Sequence, residues 1–238
     1  MLPEPARAVG RTLLEALFPG RCLLCGAWLL FESDHRVPLC AKCREMVTPQ
    51  AGSCCARCGM RLVAEQGTCI RCRNTDYFFE SNIALFPYTG AARILMQSLK
   101  FGARQRLAPW FANHAWMALK ESDRLLTLVP VPSRRITGGG GIVAQVTRCL
   151  QRSHAMTVRQ LLERRGGAPQ KSLNYVQRQE NLKERIHLAA GRAARSLPAE
   201  VVLVDDVFTT GATLDACARV LRSAGCTRVF SITLAIEE

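Results

Sequence analysis

The segment 201–213, which reads Val-Val-Leu-Val-Asp-Asp-Val-Phe-Thr-Thr-Gly-Ala-Thr, constrains the fold of this chain more than any other. Four consecutive apolar residues predict a buried strand, and Asp205 and Asp206 follow where that strand is expected to end. A Thr/Gly loop then leads into a predicted helix. In an open α/β sheet, ligands bind at the carboxyl ends of strands, and a glycine-bearing loop at a helix N-terminus offers backbone N–H groups to a phosphate. The segment therefore predicts an α/β domain with an anion site beside two acids.

Two adjacent carboxylates would repel a phosphate, so they suit hydroxyl groups or a metal ion. The alternative is that the acids merely cap the next helix, but two acids and three threonines exceed what a cap needs. The segment resembles the phosphoribosyl-pyrophosphate (PRPP) motif of type I phosphoribosyltransferases. That resemblance implies that Asp205 and Asp206 are catalytic residues that hold the ribose hydroxyls. It implies a 5-phosphate loop formed by Thr209, Thr210, Gly211, Ala212 and Thr213.

Eight of the twelve cysteines form four Cys-x-x-Cys pairs, which predict metal sites. We expect two sets of four ligands, Cys22, Cys25, Cys40 and Cys43 on one ion and Cys55, Cys58, Cys69 and Cys72 on the other. The spacing leaves open an interleaved pairing, a single ion, or Cys54 as a ligand in place of Cys55. A redox couple would need a βαβ context that is absent here. All-thiolate ligand sets have no open coordination position, so we expect one or two structural Zn²⁺ ions.

The chain has 238 residues, of which nearly half are hydrophobic, so it has room for one α/β domain and a small module. We expect a zinc-ribbon module with an N-terminal helix over residues 1–76 and a phosphoribosyltransferase-like domain over residues 77–238. No run approaches the roughly 18 apolar residues of a membrane span, and Met1–Gly20 has no signal-peptide character. The leucines of that segment favour a short amphipathic helix. A cytoplasmic protein without membrane insertion is therefore expected.

The net charge of +13 is concentrated in the middle of the chain. Residues 81–200 carry 19 Lys and Arg against 6 Asp and Glu, whereas the flanking segments are nearly balanced. A solvated surface is the simplest interpretation of a basic run. An excess confined to one segment also favours a polyanionic partner such as nucleic acid.

Hydrophobic patterning predicts the remaining elements. Strands are expected at 83–88, 125–131 and 227–236, and helices at 91–100, 106–120, 143–150, 158–165 and 212–224. We expect the apolar residues of the second of these helices to be core rather than base-stacking platforms: Trp110, Phe111, Trp116 and Met117. Three further cysteines in apolar settings are also expected in the core: Cys149, Cys217 and Cys226.

Two further segments have the composition of anion-binding loops. Ser133, Arg134 and Arg135 follow the strand at 125–131, and the likeness to phosphoribosyltransferases implies that they bind the pyrophosphate of PRPP. The glycines that come next, 138–141, also suit a flexible turn. The basic segment 164–185 would close over a bound phosphate compound, track a nucleic-acid backbone, or form a solvated helix face.

Zinc pairs followed by a PRPP motif are similar to the ComF family of competence-associated proteins, and the likeness extends from Cys22 to the last strand. Shorter segments in the same order support it, namely Tyr88-x-Gly90, Leu99-Lys100-Phe101, Val129-Pro130-Val131-Pro132 and Pro169-Gln170. The resemblance implies a type I phosphoribosyltransferase-like parallel sheet with helices on both faces. It also implies Mg²⁺ with PRPP, single-stranded DNA as a partner in natural transformation, and contact with competence or DNA-processing proteins. The family's Arg-Gly-Phe-Asn-Gln is here replaced by Gly140-Gly141-Ile142-Val143-Ala144.

Three functions follow in order of preference. The first is a PRPP-binding protein that handles single-stranded DNA, and the second is an active phosphoribosyltransferase (pentosyl transfer) with a nucleobase-like acceptor. The third is a structural adaptor with a relict transferase fold. No histidine lies beside the motif, so no general base is assigned among the four: His35, His114, His154 and His187.

Overall fold

A computed structural model describes residues 20–29, 37–64, 66–99, 104–121, 126–133, 141–165, 185–189 and 197–237. The predicted N-terminal helix lies outside the described residues, as do Arg134, Arg135 and most of the basic segment after Arg165. No helix in the described ranges combines the length and apolarity needed to cross a membrane.

The strands of the described residues are β1 (Asn82–Pro87), β2 (Thr127–Pro130), β3 (Leu162–Arg164), β4 (Ile186–Leu188), β5 (Glu200–Phe208) and β6 (Arg228–Ile236). The helices are α1 (Ala41–Glu45), α2 (Ile70–Arg73), α3 (Gly90–Ser98), α4 (Arg104–Glu121), α5 (Ile142–His154) and α6 (Ala212–Ser223). Four strands form a parallel sheet in the order β1-β6-β5-β2. β3 and β4 form a separate antiparallel pair, and β4 packs against α6.

Helices cover both faces of the parallel sheet. Side chains alternate along β5, so Val202 and Val204 join a core with α3, α4 and α5, whereas Val201 and Leu203 join a core with α6. A strand that is buried on both faces must be apolar throughout, which explains the unbroken run of four aliphatic residues. The predicted α/β fold class is confirmed.

Two short cysteine-bearing units precede the sheet, and each repeats the same backbone pattern. In the first, the N–H of Cys22 donates to the carbonyl of Ala27, and in the second the N–H of Cys55 donates to that of Met60. A glycine with positive φ follows the second cysteine of each knuckle, at Gly26 (74°) and Gly59 (76°). α1 and α2 then begin directly after the third cysteine of each unit. These units are two copies of one zinc-ribbon knuckle and helix.

The two ribbon units pack onto the sheet domain in different places. Leu29, Leu39 and Cys43 of the first unit join the core formed with α4, whereas Cys58 and Cys69 of the second join the α6 side. The boundary between residues 76 and 77 stays a prediction, because the second unit shares one buried core with the sheet.

Most predicted elements occur within a few residues of their expected bounds, but the helix predicted at 158–165 is wrong. The chain is extended there, since Val158 bridges Leu128 of β2 and the N–H of Arg159 donates to the Leu128 carbonyl. β3 then pairs with β4, which is distant in sequence. A short apolar run does not distinguish a helix from a strand, and here long-range pairing decides.

The predicted core positions of α4 are only partly correct. Trp110 and Phe111 are buried, and Trp110 stacks on Phe86 with ring centroids 4.9 Å apart. Trp116 is half-buried and stacks on His154, whereas Met117 is 51% exposed. Cys217 and Cys226 are buried as expected, and Cys149 is half-buried.

Candidate functional site

The acid pair lies within β5 rather than beyond it, because this strand continues to Phe208. Pairing with β6 persists to the end of β5, but pairing with β2 stops where Pro130 meets Val204. On that side, no strand among the described residues pairs with β5 from Asp205 onward, and we call this the open side of β5. The expectation that the strand ends before the acids is corrected: only the β2 side of the ladder ends there.

This open side coincides with a change in connection between neighbouring strands. β2 continues into α5 on one face of the sheet, and β5 continues into α6 on the other face. Adjacent parallel strands whose following helices lie on opposite faces leave a crevice at their carboxyl ends, where open α/β sheets bind ligands. We call the space beyond Pro130 and Val204 the crevice.

The loop 209–213 forms one wall of the crevice and turns into α6 at Gly211. The φ of Gly211 is 79°, and its N-cap position provides no side chain to cap the helix. The Thr210 hydroxyl accepts a weak hydrogen bond of 3.4 Å from the N–H of Ala212. Thr209 is exposed, and Thr213 is half-buried at the start of the helix. A helix N-terminus without a side-chain cap directs N–H groups and a positive dipole end outward, as an anion site requires.

The two acids have different environments. Asp205 is partly buried, whereas Asp206 is exposed. Burial and the neighbouring charge of Asp206 raise the pKa of the Asp205 carboxyl well above its ordinary value, although the charge of Arg164 on β3 partly offsets this. A cation or hydroxyl donor bound between the acids would relieve this repulsion. The sequence places Arg164 in the basic segment 164–185 with no indication that its charge acts on Asp205, as it does in the structure.

The other wall of the crevice contains Ser133, which is exposed just after β2. A β-carbon added to Gly141 would lie 3.6 Å from the Ser133 hydroxyl oxygen, so Ser133 lies beside the N-cap of α5. Like α6, α5 begins without a side-chain cap. Arg134 and Arg135 lie outside the described residues.

The eight paired cysteines form two clusters, in the grouping Cys22, Cys25, Cys40 and Cys43, and Cys55, Cys58, Cys69 and Cys72. Within each cluster the sulfur atoms lie within 4.8 Å of one another. Cys25 and Cys40 sulfurs are 3.8 Å apart, as are those of Cys58 and Cys69. Four sulfurs at about 2.3 Å from a central Zn²⁺ would be about 3.8 Å apart, so both clusters fit a tetrahedral zinc ion. The interleaved pairing is not the arrangement found, and Cys54 belongs to neither cluster.

Backbone hydrogen bonds prepare the thiols for a cation. Burial opposes ionisation of Cys55, but the N–H groups of Cys58 (3.5 Å) and Cys69 (3.3 Å) donate to its sulfur and lower its pKa to about 7. The corresponding bonds outweigh burial at Cys22 and lower its pKa to about 6. Burial raises the pKa of Cys58 to about 11, and neighbouring Cys55 adds to the rise. Four crowded thiolates repel one another, so a divalent cation is required for all of them to be charged.

A second observation supports zinc at the second cluster. Arg71 lies on α2 between the ligands Cys69 and Cys72, and its buried Nε and Nη2 atoms make no hydrogen bond of good geometry among the described residues, although the Cys58 thiol is close enough to act as an acceptor for the guanidinium. The sulfurs of Cys58 and Cys69 act electrostatically on this guanidinium. A zinc ion with four thiolates has a net charge of −2, which suits buried cationic N–H donors.

Residues that the sequence did not identify connect this cluster to the loop 209–213. The Nη1 of Arg71 donates to the carbonyl of Thr209 at 2.9 Å, and the hydroxyl of Tyr77 donates to the carbonyl of Thr210 at 2.9 Å. The only sequence signal for Arg71 was its position between two predicted ligands. Tyr77 lies at the predicted boundary between the zinc-ribbon module and the phosphoribosyltransferase-like domain.

The chain is similar to several known proteins. Residues 13–73 match the double zinc ribbon domain family. DNA utilization protein YhgH of Salmonella typhimurium is 28% identical over 227 residues, which cover 89% of this chain and 94% of that protein. Competence protein F of Haemophilus influenzae is 24% identical over 222 residues, covering 87% and 93% respectively.

Two solved structures also align with part of the chain. The purine phosphoribosyltransferase from Pyrococcus horikoshii Ot3 is 17% identical and covers 53% of this chain and 73% of that one, with a TM-score of 0.33. The hypoxanthine phosphoribosyltransferase from Staphylococcus aureus is 12% identical and covers 56% and 64%, with a TM-score of 0.35.

The chain thus combines a segment that matches the double zinc ribbon domain, residues 13–73, with a parallel α/β domain. The resemblance to the ComF family is confirmed by the ribbon match and by competence and DNA-utilization relatives that span most of the chain.

Proposed function

We propose that this protein binds PRPP with Mg²⁺ in the crevice and handles single-stranded DNA during DNA uptake. The observation that carries the proposal is the joining of an acid pair, Asp205 and Asp206, to an uncapped helix N-terminus at Gly211. Hydroxyls and a metal ion suit the acids, and a phosphate suits the loop. A ribose 5-phosphate combines these groups in one ligand.

The second helix N-terminus of the crevice favours PRPP over a simple ribose phosphate. α5 and α6 follow adjacent parallel strands, so their N-termini lie at the same edge of the sheet. Phosphate groups at both ends of the ribose would match these two sites, with the pyrophosphate beside Ser133. In this proposal Arg134 and Arg135 add charge to the pyrophosphate, and Mg²⁺ links it to the acids.

The proposed DNA role rests on the names of the relatives and on charge. The exposed basic side chains of α3, α4 and α5 lie on helices that cover one face of the sheet, whereas the described part of these helices has a single acid, Glu121. These side chains are Arg93, Arg106, Lys120, Arg148 and Arg152. A one-sided basic surface suits a phosphate backbone without sequence preference. Cytoplasmic location and competence or DNA-processing partners belong to the same proposal.

Calorimetry with PRPP and Mg²⁺, and fluorescence anisotropy with labelled single-stranded DNA, test the two halves. Asp206→Asn is expected to weaken PRPP binding at least tenfold while DNA binding is retained. DNA affinity should fall steeply between 50 and about 200 mM salt, because bound Lys and Arg release counterions. Absence of PRPP binding by the zinc-loaded protein would refute the first half, and salt-independent DNA binding the second. If PRPP displaces the labelled DNA in the anisotropy measurement, the DNA-binding surface includes the crevice.

Transferase activity is a second candidate, favoured by the raised pKa of Asp205 and the open side of β5. A carboxyl with a raised pKa holds or accepts a proton more readily than an ordinary one, which suits a site where charge changes during reaction. Release of pyrophosphate from PRPP in the presence of a panel of nucleobases would support this function. If no nucleobase in the panel causes pyrophosphate release while PRPP still binds, the transferase function is refuted and PRPP binding remains.

A further inference from the structure

The second cysteine cluster and the loop 209–213 are in direct contact, although about 140 residues separate them in sequence. Two consecutive carbonyls of the loop accept hydrogen bonds from this side: Thr209 from Arg71 and Thr210 from Tyr77. Each of these peptide groups also contains the N–H of the next residue, Thr210 or Gly211, on the side opposite to the bonded carbonyl. The geometry of the anion site therefore depends on residues of the ribbon and its connection.

Three aromatic rings form a floor beneath the same loop. Tyr77 stacks on Phe79 with centroids 4.6 Å apart, and Phe208 packs edge-on against both. A β-carbon added to Gly211 would lie only 2.8 Å from Phe208 and 2.9 Å from Tyr77. The loop thus has no free space to shift toward the ribbon.

The second ribbon unit also holds the segment that carries two of these aromatic rings. Arg57, within the knuckle between Cys55 and Cys58, donates to the carbonyls of Tyr77 (2.7 Å) and Glu80 (3.1 Å). The N–H of Phe78 donates to Asp215 of α6 at 2.7 Å. The segment 77–80 is therefore clamped between the second cluster and α6.

The first cluster has no such connection. Its buried cysteines, Cys22 and Cys43, pack in the core on the α4 side, and no hydrogen bond among the described residues joins this cluster to the loop 209–213. The two clusters therefore offer an internal comparison, since they share ligand chemistry but differ in what they contact.

We propose that zinc at Cys55, Cys58, Cys69 and Cys72 sets the geometry and affinity of the 5-phosphate loop, with Arg71 as the positioning residue that links them. Zinc bound by four thiolates provides the anionic partner for the buried N–H groups of Arg71, which then presents Nη1 to Thr209. By thermodynamic reciprocity, a ligand in the loop strengthens zinc binding at this cluster and not at the first. The identity of that ligand rests on the proposed function, whereas the link itself does not.

The deciding comparison is Arg71→Met against Arg73→Met in the zinc-loaded full-length protein. Arg73 lies on the same helix, is exposed, and among the described residues its side chain bonds within the ribbon, to the Thr68 carbonyl. Without any ligand, Arg71→Met is expected to increase amide hydrogen exchange in peptides covering 209–214, and Arg73→Met to leave it unchanged. With PRPP, Arg71→Met should weaken binding about tenfold, because the Thr209 carbonyl loses the bond that fixes it; a loss of this size is within the range seen when an outer-shell partner of a metal site is removed. Tyr77→Phe, which retains the ring and loses one bond, should show a smaller increase in the same peptides.

Equal exchange in 209–214 for the Arg71 and Arg73 variants would overturn the proposal. If the wild-type protein fails to bind PRPP, the proposed function falls, but the exchange experiment still decides the link. The rate at which a mercurial thiol reagent releases zinc supplies an independent measurement. It is made in a Cys22→Ser background, in which the first cluster no longer holds zinc tightly and the released zinc comes from the second cluster. Saturating PRPP is expected to slow this release about tenfold, and an unchanged rate with PRPP bound would count against the proposal.

Discussion

The side-chain amide of Asn82 on β1 donates hydrogen bonds to the carbonyl of Cys58 at 2.9 Å and to the hydroxyl of Thr233 at 3.0 Å. Its oxygen accepts a bond from the hydroxyl of Ser231 at 2.9 Å. All of these side chains are buried. The Asn82 amide thereby links the knuckle that contains Cys58 to β1 and β6, the edge strand and its neighbour.

Asn82→Ala is expected to lower the free energy of unfolding by about 2–3 kcal/mol, because the buried Cys58 carbonyl and Thr233 hydroxyl lose their amide donor. The Ser231 hydroxyl keeps its bond to the Ser81 carbonyl. Asn74→Ala is the matched control, since Asn74 is exposed and makes a single long bond of 3.3 Å to Ile70. Urea denaturation of the zinc-loaded proteins measures both. Equal losses for the two variants would show that the Asn82 network contributes little.

Gly211→Ala tests how tightly the loop is packed. It combines an unfavourable φ of 79° with a β-carbon in collision with Phe208 and Tyr77, so we expect a loss of about 2–4 kcal/mol. Gly52→Ala has a similar φ of 84° but open space around the β-carbon, and should lose only about 1–2 kcal/mol. The difference between the two variants in thermal or urea unfolding isolates the packing contribution. A Gly52 variant as unstable as the Gly211 variant would assign the whole effect to backbone strain.

The local parts of this arrangement are readable from the sequence. Two features are set by residues that are close in sequence: the spacing within each Cys-x-x-Cys pair, and the order of Asp205, Thr209 and Gly211. The zinc knuckles and the phosphate loop can therefore be predicted from short segments. The run Val201–Val204 likewise identifies a central strand. Each of these inferences depends on fewer than about fifteen consecutive residues.

What the sequence does not contain is the contact between distant segments. Nothing local indicates that Arg71 reaches Thr209, or that Tyr77 fills the space beside Gly211. The same cause explains why the helix prediction at 158–165 is wrong, since the partner strand of Leu162–Arg164 begins at Ile186. The crevice itself arises from the order of the strands, which is a property of the whole sheet.

The zinc content is a direct consequence of the two clusters. We expect two Zn²⁺ per chain by mass spectrometry of the purified protein, and one in Cys55→Ser, because three thiolates bind zinc much more weakly. Cys54→Ser should retain two, since Cys54 lies outside both clusters. These neighbouring substitutions differ by one position along the chain and are chemically identical. Loss of zinc in Cys54→Ser would show that the ligand set is shifted by one residue.

Asp205 is expected to reduce the stability of the fold at neutral pH. Its pKa in the folded protein is raised by burial and by Asp206, so the unfolded chain ionises first as the pH rises above the ordinary carboxyl value of 3.8. Folding stability therefore decreases as pH increases from that value to the folded pKa, and is constant above it. Asp205→Asn should raise the free energy of unfolding at pH 7.5 relative to wild type, and this gain should shrink as the pH approaches 4.

The same substitution should abolish PRPP binding, since an amide is a poor substitute for a carboxylate toward hydroxyls and Mg²⁺. Asp76→Asn serves as the control, because Asp76 is exposed and outside the crevice, so its stability should match wild type at both pH values. Urea unfolding at pH 4.5 and 7.5, with Mg²⁺ absent, measures the effect. If Asp205→Asn is less stable than wild type at pH 7.5, then Arg164 and the local N–H groups stabilise the carboxylate more than burial and Asp206 destabilise it. Addition of Mg²⁺ should stabilise wild type more than Asp205→Asn, because the cation relieves the repulsion that the substitution has already removed.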